Sequence, residues 1–275
     1  KLAAIEAEWD THPAPAAFTL FGIPNEETQT TDYAIKIPYV MGLIATRSTT
    51  EEVTGIKDLI SQHEQRIRNG MVSYAQLEQL RAGDKSPELL AAFEASQKDL
   101  GYGLLLKKYT PNVVDATDEQ IKSAAADTIP HVPSLFWAFR AMVGSGFLML
   151  VLFALATFAV FKRNLESKPW LLKFAVIALP LPWIAAQTGW YVAEVGRQPW
   201  TIGEVLPTYL SASSISSADV WGSIIALASF YTVLLIIEMY LMIKFSRLGP
   251  SSLHTGKYHF EKLEAAKKAN EESQA

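Results

Sequence analysis

The chain contains no cysteine. That absence removes disulfide frameworks, thiolate zinc sites, cysteine nucleophiles and Cys-ligated iron–sulfur clusters in one step, so any metal centre must draw on His, Met or carboxylates. A surplus of positive charge is also missing, with 24 Lys and Arg against 28 Asp and Glu and a net charge of −4. Neutralising a phosphate backbone needs clustered cations, and with no such cluster visible nucleic acid is not an expected partner. Charge of either sign is scarce at 19%, while 49% of the 275 residues are apolar, a balance opposite to that of disordered chains. The histidines, His12, His63, His131, His254 and His259, show no HExxH or other paired metal spacing, and Gly101-Tyr102-Gly103 lacks the rest of any phosphate-binding fingerprint. The first residue is Lys1, and no apolar signal-peptide core follows it, which reads as the internal start of a fragment.

The apolar residues are concentrated late in the sequence. Residues 1–133 are mixed and polar, whereas three later windows approach the roughly 20 apolar residues that cross a hydrocarbon core of about 30 Å. Ala141 to Phe161 is uncharged and is extended upstream of Arg140 by Leu135, Phe136, Trp137 and Phe139. Phe174 to Ala193 is uncharged but holds Pro180 and Pro182, and Val220 to Ile237 continues past Glu238 to Ile243. Buried helices of a soluble protein are the alternative; three such lengths in series favour membrane spans. The expected class is an all-α, polytopic integral membrane protein. It would have an extracytoplasmic region over 1–133, transmembrane helices over 134–163, 171–196 and 218–245, an outer loop over 197–217 and a cytoplasmic tail over 246–275. Lys162, Arg163, Lys168 and Lys173 after the first window, and Lys244, Arg247, Lys257, Lys262, Lys267 and Lys268 after the third, assign those ends to the cytoplasm by the positive-inside rule.

The outer region reads as a short helix over Leu2 to Trp9, then extended, turn-rich chain punctuated by Pro13, Pro15, Pro24 and Pro38. Ser48-Thr49-Thr50-Glu51-Glu52 has the spacing of a capping box twice over and predicts a helix that ends at Asn69-Gly70. Further helical patterns lie at Tyr74 to Arg81, Pro87 to Leu100 and Asp118 to Asp127. No strand alternation is evident.

Polar groups at membrane depth are costly unless paired, so they point to chemistry. Gln187, Trp190, Glu194 and Arg197 recur every three or four residues and share one helical face. An interfacial ion pair within an aromatic belt is one reading. The other is a carboxylate facing a cofactor iron, with Arg197 neutralising an acidic group on that cofactor. Met142 is either packing or a soft axial ligand to haem iron, with Gly144 and Gly146 nearby to make room. Arg140 is a snorkelling cation or the partner of a haem propionate. Lys1, Glu6, Glu8 and Asp10 would ordinarily be a solvated helix face. Glu238, within the third window, either marks a proton path or pairs with Lys244.

The run from Gly189 to Trp200, Gly-Trp-Tyr-Val-Ala-Glu-Val-Gly-Arg-Gln-Pro-Trp, continued by Thr201 to Thr208, closely resembles the signature of subunit I of cytochrome bd-type quinol oxidases. The resemblance extends to Phe245-Ser246-Arg247-Leu248-Gly249-Pro250-Ser251-Ser252-Leu253 and to the opening Lys1-Leu2-Ala3-Ala4-Ile5-Glu6-Ala7-Glu8-Trp9. It implies the C-terminal half of subunit I, from the quinol-binding loop onward, in a bacterial cytoplasmic (inner) membrane. By the same resemblance Glu194 ligates a high-spin haem b iron, Met142 ligates a low-spin haem b iron, and Arg140, Trp190 and Arg197 bind cofactor. Lys1 and Glu6 match the charged pair tied to quinol oxidation, Glu6 as proton acceptor and Lys1 as an orienting charge, with Phe18 a candidate to stack on the quinone ring.

The implied activity is quinol oxidation at the outer face, with electrons passing through low-spin and high-spin haem b to haem d, where oxygen becomes water. A proton gradient arises because quinol protons leave outside while protons for water come from the cytoplasm. Implied partners are the N-terminal half of subunit I with its His ligands, subunit II, a small single-span subunit, lipid, quinol and oxygen. The competing class is a transporter or channel subunit in which Glu194, Arg197 and Glu238 line an ion path.

Overall fold

The computed structural model describes residues 1–48, 50–165 and 167–248. It divides into two compact units, the first running from Lys1 to Ala212. The first opens with helix α1 (Leu2–Glu6), which Ala7 closes in the left-handed region at φ 53°. Strands β1 (Phe18–Asn25) and β2 (Thr30–Ile37) form an antiparallel hairpin, followed by α2 (Val40–Ala45), α3 (Ile56–Arg81), α4 (Pro87–Ser96), α5 (Leu100–Leu104) and α6 (Asp118–Ala126). Helix α7 (Val132–Phe161) precedes α8 (Pro169–Ile177) and α9 (Leu181–Val195), and a small ribbon of β3 (Trp200–Ile202) and β4 (Leu206–Pro207) follows. In the second unit the described residues form helix α10 (Ser217–Leu248). Three helical stretches, Val132–Phe161, Pro169–Val195 and Ser217–Arg247, are long and apolar enough to cross a membrane.

The hairpin corrects the expectation of extended chain without strands, and its inverted face explains why alternation was not evident. In β1 the buried positions are Thr19, Gly22 and Pro24, while Leu20, Phe21 and Ile23 are exposed. The hairpin lies along the start of α7. Phe21 meets Trp137 edge-on at 5.4 Å, and the Glu26 carboxylate accepts from Val132 N–H at 2.7 Å. An acidic side chain there satisfies a free helix N–H and complements the positive end of the helix dipole.

Helix α3 also departs from its expected ends. It begins at Ile56, because the chain just after α1 supplies the acceptors that its first turn needs. Glu8 O accepts from Ile56 N at 2.8 Å, Trp9 O from Lys57 N at 3.1 Å, and Thr11 Oγ1 from Gly55 N at 2.9 Å. Val53, upstream, instead pairs with His12 in a single antiparallel bridge. Thr49, in the expected capping box, lies outside the described residues. At the other end the helix continues through Asn69-Gly70 to Arg81. Gly70 serves packing: a Cβ there would sit 2.3 Å from both Asp99 O and Gly103 N on the crossing segment.

Two of the apolar clusters tie the region before α7 to the helices that follow. Ala3, Ala4, Ile5 and Trp9 pack with Ile56, with Val132, Leu135 and Phe136 of α7 and with Val192 of α9. Ile67 and Tyr74 of α3 pack with Tyr102, Leu106, Ile121, Ala125 and Trp200. A third cluster, Leu152 and Ala159 with Leu171 and Ala178, holds α8 against the far end of α7. Between α8 and α9 the helix breaks ahead of Pro180, which has no N–H to continue it, and Pro182 occupies the first turn of α9.

Replacing Gly70 by Val should cost more than the ~1–3 kcal/mol of ordinary overpacking, because backbone atoms and not side-chain ends stand in the way. Thermal unfolding and limited proteolysis of the assembled protein would record a lower melting temperature and earlier cleavage within residues 1–131. An unchanged profile would contradict the Gly70–Gly103 contact.

Candidate functional site

Arg140, on the third turn of α7, is the most heavily engaged polar side chain of the first unit. Its Nη2 donates to Glu6 Oε2 at 2.9 Å and to Thr19 O. Nη1 donates to Ile5 O at 3.2 Å and Phe136 O at 3.1 Å, and Nε donates to Leu20 O at 3.1 Å. All five N–H groups of the guanidinium thus have protein acceptors, and its face lies 3.3 Å from the Phe136 ring centroid. The residue that the resemblance pairs with a haem propionate therefore pairs, within this chain, with the residue that it assigns to quinol.

Glu6 is fully buried, and Oε1 has no hydrogen-bond partner among the described residues. Burial pushes its carboxyl above the ordinary range, against the pull of the Arg140 charge and hydrogen bond. Glu8 is buried as well, at 2% exposure, and burial pushes it up to about 6. Of the expected solvated face, Lys1 and Asp10 are exposed, whereas Glu6 and Glu8 point inward. Sequence reasoning missed Glu8. The available signal was its setting, since Leu2, Ala3, Ala4, Ile5, Ala7 and Trp9 leave α1 and its exit almost wholly apolar.

Lys1 does not meet Glu6. Its Nζ donates to Ala193 O at 3.3 Å, next to Glu194, so it neutralises the carbonyl end of α9. An apolar cavity of about 450 Å³ opens beside Arg140, between Phe18 and Leu20 of β1, Ile44 of α2, and Phe139 and Val143 of α7. Phe18 is therefore in this wall, 5.5 Å from the Arg140 guanidinium measured to its ring centroid.

Helices α7 and α9 pack together, and Met142 lies at their contact: its Sδ is 3.0 Å from where a Cβ on Gly189 would be. Gly189 thus leaves the thioether its space. Among the described residues, nothing beyond the local helix backbone and chain neighbours lies within 4 Å of a Cβ added at Gly144 or Gly146. On the open side of α9, Trp190 is 66% exposed, and Glu194 Oε1 is 3.4 Å from Arg197 Nη2, with both side chains about half exposed. Among the described residues no three His, Asp or Glu side chains converge. Met142 and Glu194 are thus single donors, suited to a metal that brings most of its coordination in its own ring. Open surface at Gly144, Gly146 and Trp190, with a cation at Arg197 for an acidic substituent, fits a haem.

A polar hub unforeseen from spacing ties this stripe to the region before α7. Arg66 of α3 donates to Asp99 Oδ1 at 2.8 Å, Glu204 Oε2 at 3.0 Å and the Tyr102 hydroxyl at 3.1 Å. His12, His63 and His131 all precede α7, and His63 shares a 2.7 Å hydrogen bond with Thr128; His254 and His259 lie outside the described residues. Glu238 of α10 is exposed, and Lys244 lies near the Tyr240 and Phe245 rings, not against that carboxylate.

The chain was compared with known proteins. The sequence pattern of the family described as cytochrome bd terminal oxidase subunit I matches residues 1–250. Subunit 1 of the cytochrome bd-II ubiquinol oxidase of Escherichia coli (strain K12) is 39% identical over 255 residues, covering 93% of this chain and 50% of that protein. Subunit 1 of the cytochrome bd ubiquinol oxidase of Bacillus subtilis (strain 168) is 25% identical over 250 residues, covering 90% of this chain and 42% of that protein. The chain spans about half the length of these curated relatives. With a match that takes in α1, the α7–α9 pair and the Glu194–Arg197 stripe, the chain belongs to the cytochrome bd terminal oxidase subunit I family.

Proposed function

We propose that this chain supplies the C-terminal half of subunit I of a bacterial inner-membrane terminal oxidase that oxidises quinol and reduces oxygen to water. The observation that carries the reading is the pairing of a buried carboxylate, Glu6, with Arg140, two residues before Met142 on the same helix. Arg140 stands in the wall of the apolar cavity and holds the proton acceptor Glu6 behind it, close to a candidate haem ligand. The quinone ring would enter the cavity walled by Phe18 and Phe139, with its hydroxyl towards Glu6 and its apolar tail towards lipid.

Bound haem supplies one-electron acceptor chemistry, as low-spin haem b, high-spin haem b and haem d. The chain's own residues bind, orient and move protons. Met142 would hold the low-spin haem b iron through its thioether, together with a His from the N-terminal half. Glu194 would hold the high-spin haem b iron, Arg197 would neutralise an acidic substituent, and Trp190 would pack against the cofactor. Arg140 orients Glu6 and contributes positive charge near the low-spin site, while its hydrogen bonds remain within the protein. Glu6 accepts a proton from the quinol hydroxyl, a step helped by a carboxyl whose affinity for protons has been raised by burial. Lys1 assists from a distance, by fixing the outer end of α9. Residues 1–133 lie on the outer side and the tail in the cytoplasm, a placement that the Lys and Arg distribution supports. Subunit II, a small single-span subunit and the remaining half of subunit I complete the lipid-embedded assembly.

A reduced-minus-oxidised spectrum of the assembled complex, taken before and after anaerobic addition of quinol, tests the reading directly. Haem b and haem d bands should appear with quinol; no haem bands in an intact complex would sink it. Met142→Leu should specifically alter the low-spin haem b bands and lower that centre's potential, since thioether ligation raises it. A native spectrum in that variant would remove Met142 from the ligands. Glu6→Gln keeps the side chain's shape but cannot accept the proton, and should slow quinol turnover by roughly 10²-fold with the haem complement retained.

A further inference from the structure

We propose that Glu8 and His12 carry protons from Glu6 to the outer aqueous surface, forming the exit relay for quinol oxidation. The inference rests on the reading of Glu6 as proton acceptor and extends it to two residues outside the cavity. Glu6 and Glu8 are 0% and 2% exposed, and Oε1 of each is buried without a hydrogen-bond partner among the described residues. A dry interior tolerates such oxygens poorly, and two of them flank one turn. Ala7, held at φ 53°, bends the chain so that the residues on either side both face inward. A left-handed alanine is strained, and strain of this kind clusters at functional sites.

The remaining oxygen of Glu8, Oε2, lies 3.0 Å from His12 Nε2, and the His12 side chain is 39% exposed. A small cavity of about 160 Å³ opens beside the pair, with Thr19, Thr31 and Lys36 in its wall. Glu8 stands two residues from the wholly buried Glu6 and its charge bears on that carboxyl, while its other side meets an imidazole at the surface. The charged groups bearing on the pair are Arg140 of α7, Lys36 of β2, and Asp10 of their own segment, which is paired at 2.8 Å with Lys57 of α3. Burial puts Glu8 at about 6, and burial followed by the Lys36 charge lowers His12 from 6.5. The two shifts run towards each other, the carboxyl upward and the imidazole downward, which favours transfer between them.

The balance is simple. As each quinol O–H bond breaks, the proton joins Glu6 and the electron passes to the haem acceptor. Glu6 is restored when Glu8 takes the proton, Glu8 is restored when neutral His12 takes it at Nε2, and the imidazolium releases it to bulk water. Two hydroxyls yield two protons and two electrons, and no relay group is changed over a turnover.

The test uses the assembled oxidase with quinol as substrate. Glu8→Gln and His12→Ala should each slow turnover, by on the order of 10²-fold for the buried position, with the haem spectrum intact. Added imidazole should restore the His12→Ala rate, and Glu8→Asp should recover part of the lost rate. Wild-type turnover should decline as pH falls below about 6, where Glu8 is already protonated and cannot accept, and Glu8→Gln should abolish that limb. A slowed His12→Ala enzyme that imidazole does not rescue would assign the pair a structural role and overturn the relay. Full turnover in both variants, with Glu6→Gln impaired, overturns the relay alone; full turnover in Glu6→Gln overturns the reading beneath it.

Discussion

The buried ion pair between Arg140 and Glu6 is the constraint on which the junction of α1, the hairpin and α7 depends. Taking two charges out of water costs several kcal/mol per ion and is tolerated only with good geometry and further hydrogen bonds. Here the guanidinium gathers carbonyls from α1, β1 and α7 around itself, so desolvation is offset by contacts that also choose which segments meet. One side chain from a membrane-length helix thereby sets the position of α1 and of the hairpin. The apolar contacts of Ala3, Ala4 and Ile5 with Leu135 and Phe136 then hold the geometry that the ion pair selects.

The two faces of the candidate site make different physical demands. At α7 and α9 the donors are few and the surface is open and apolar, as a large planar ring needs. Gly189 matters there because the neighbouring sulfur lies where its Cβ would project. At α1 the donors are buried and their electrostatics dominate: burial raises Glu6, and the single cation that opposes it is supplied by α7. Lys1 and Glu6, at opposite ends of one helical turn and a half, dock onto α9 and α7 respectively. A helix of only five residues therefore bridges the two that carry the ligand candidates.

Much of this was legible in residue order. Run length alone is enough to identify helices that can span lipid, since no other pattern explains twenty apolar residues with few charges. Pro180 and Pro182 announced the break, and the spacing of Trp190, Glu194 and Arg197 put them on one open side of α9. The hairpin was hidden because Leu20, Phe21 and Ile23 face outward and Thr19 inward, the reverse of the usual alternation. The start of α3 was hidden for a related reason: its acceptors come from residues 8–11, more than forty positions away in sequence. Glu8 turns inward just after Ala7, which is in the left-handed region, and alanine carries no sequence signal for that conformation.

The Arg66 hub has a mechanical meaning. By joining α3, the Asp99–Tyr102 segment and Glu204, it fastens the chain that follows α9 to the region before α7, while Trp200 plugs into the same apolar cluster as Ile67 and Tyr102. That region and the end of α9 are therefore coupled in their opening. Residues 1–131 are a buttress for the Glu194–Arg197 stripe as much as a cover for the cavity: loosening α3 would release the end of a membrane-length helix from a distance.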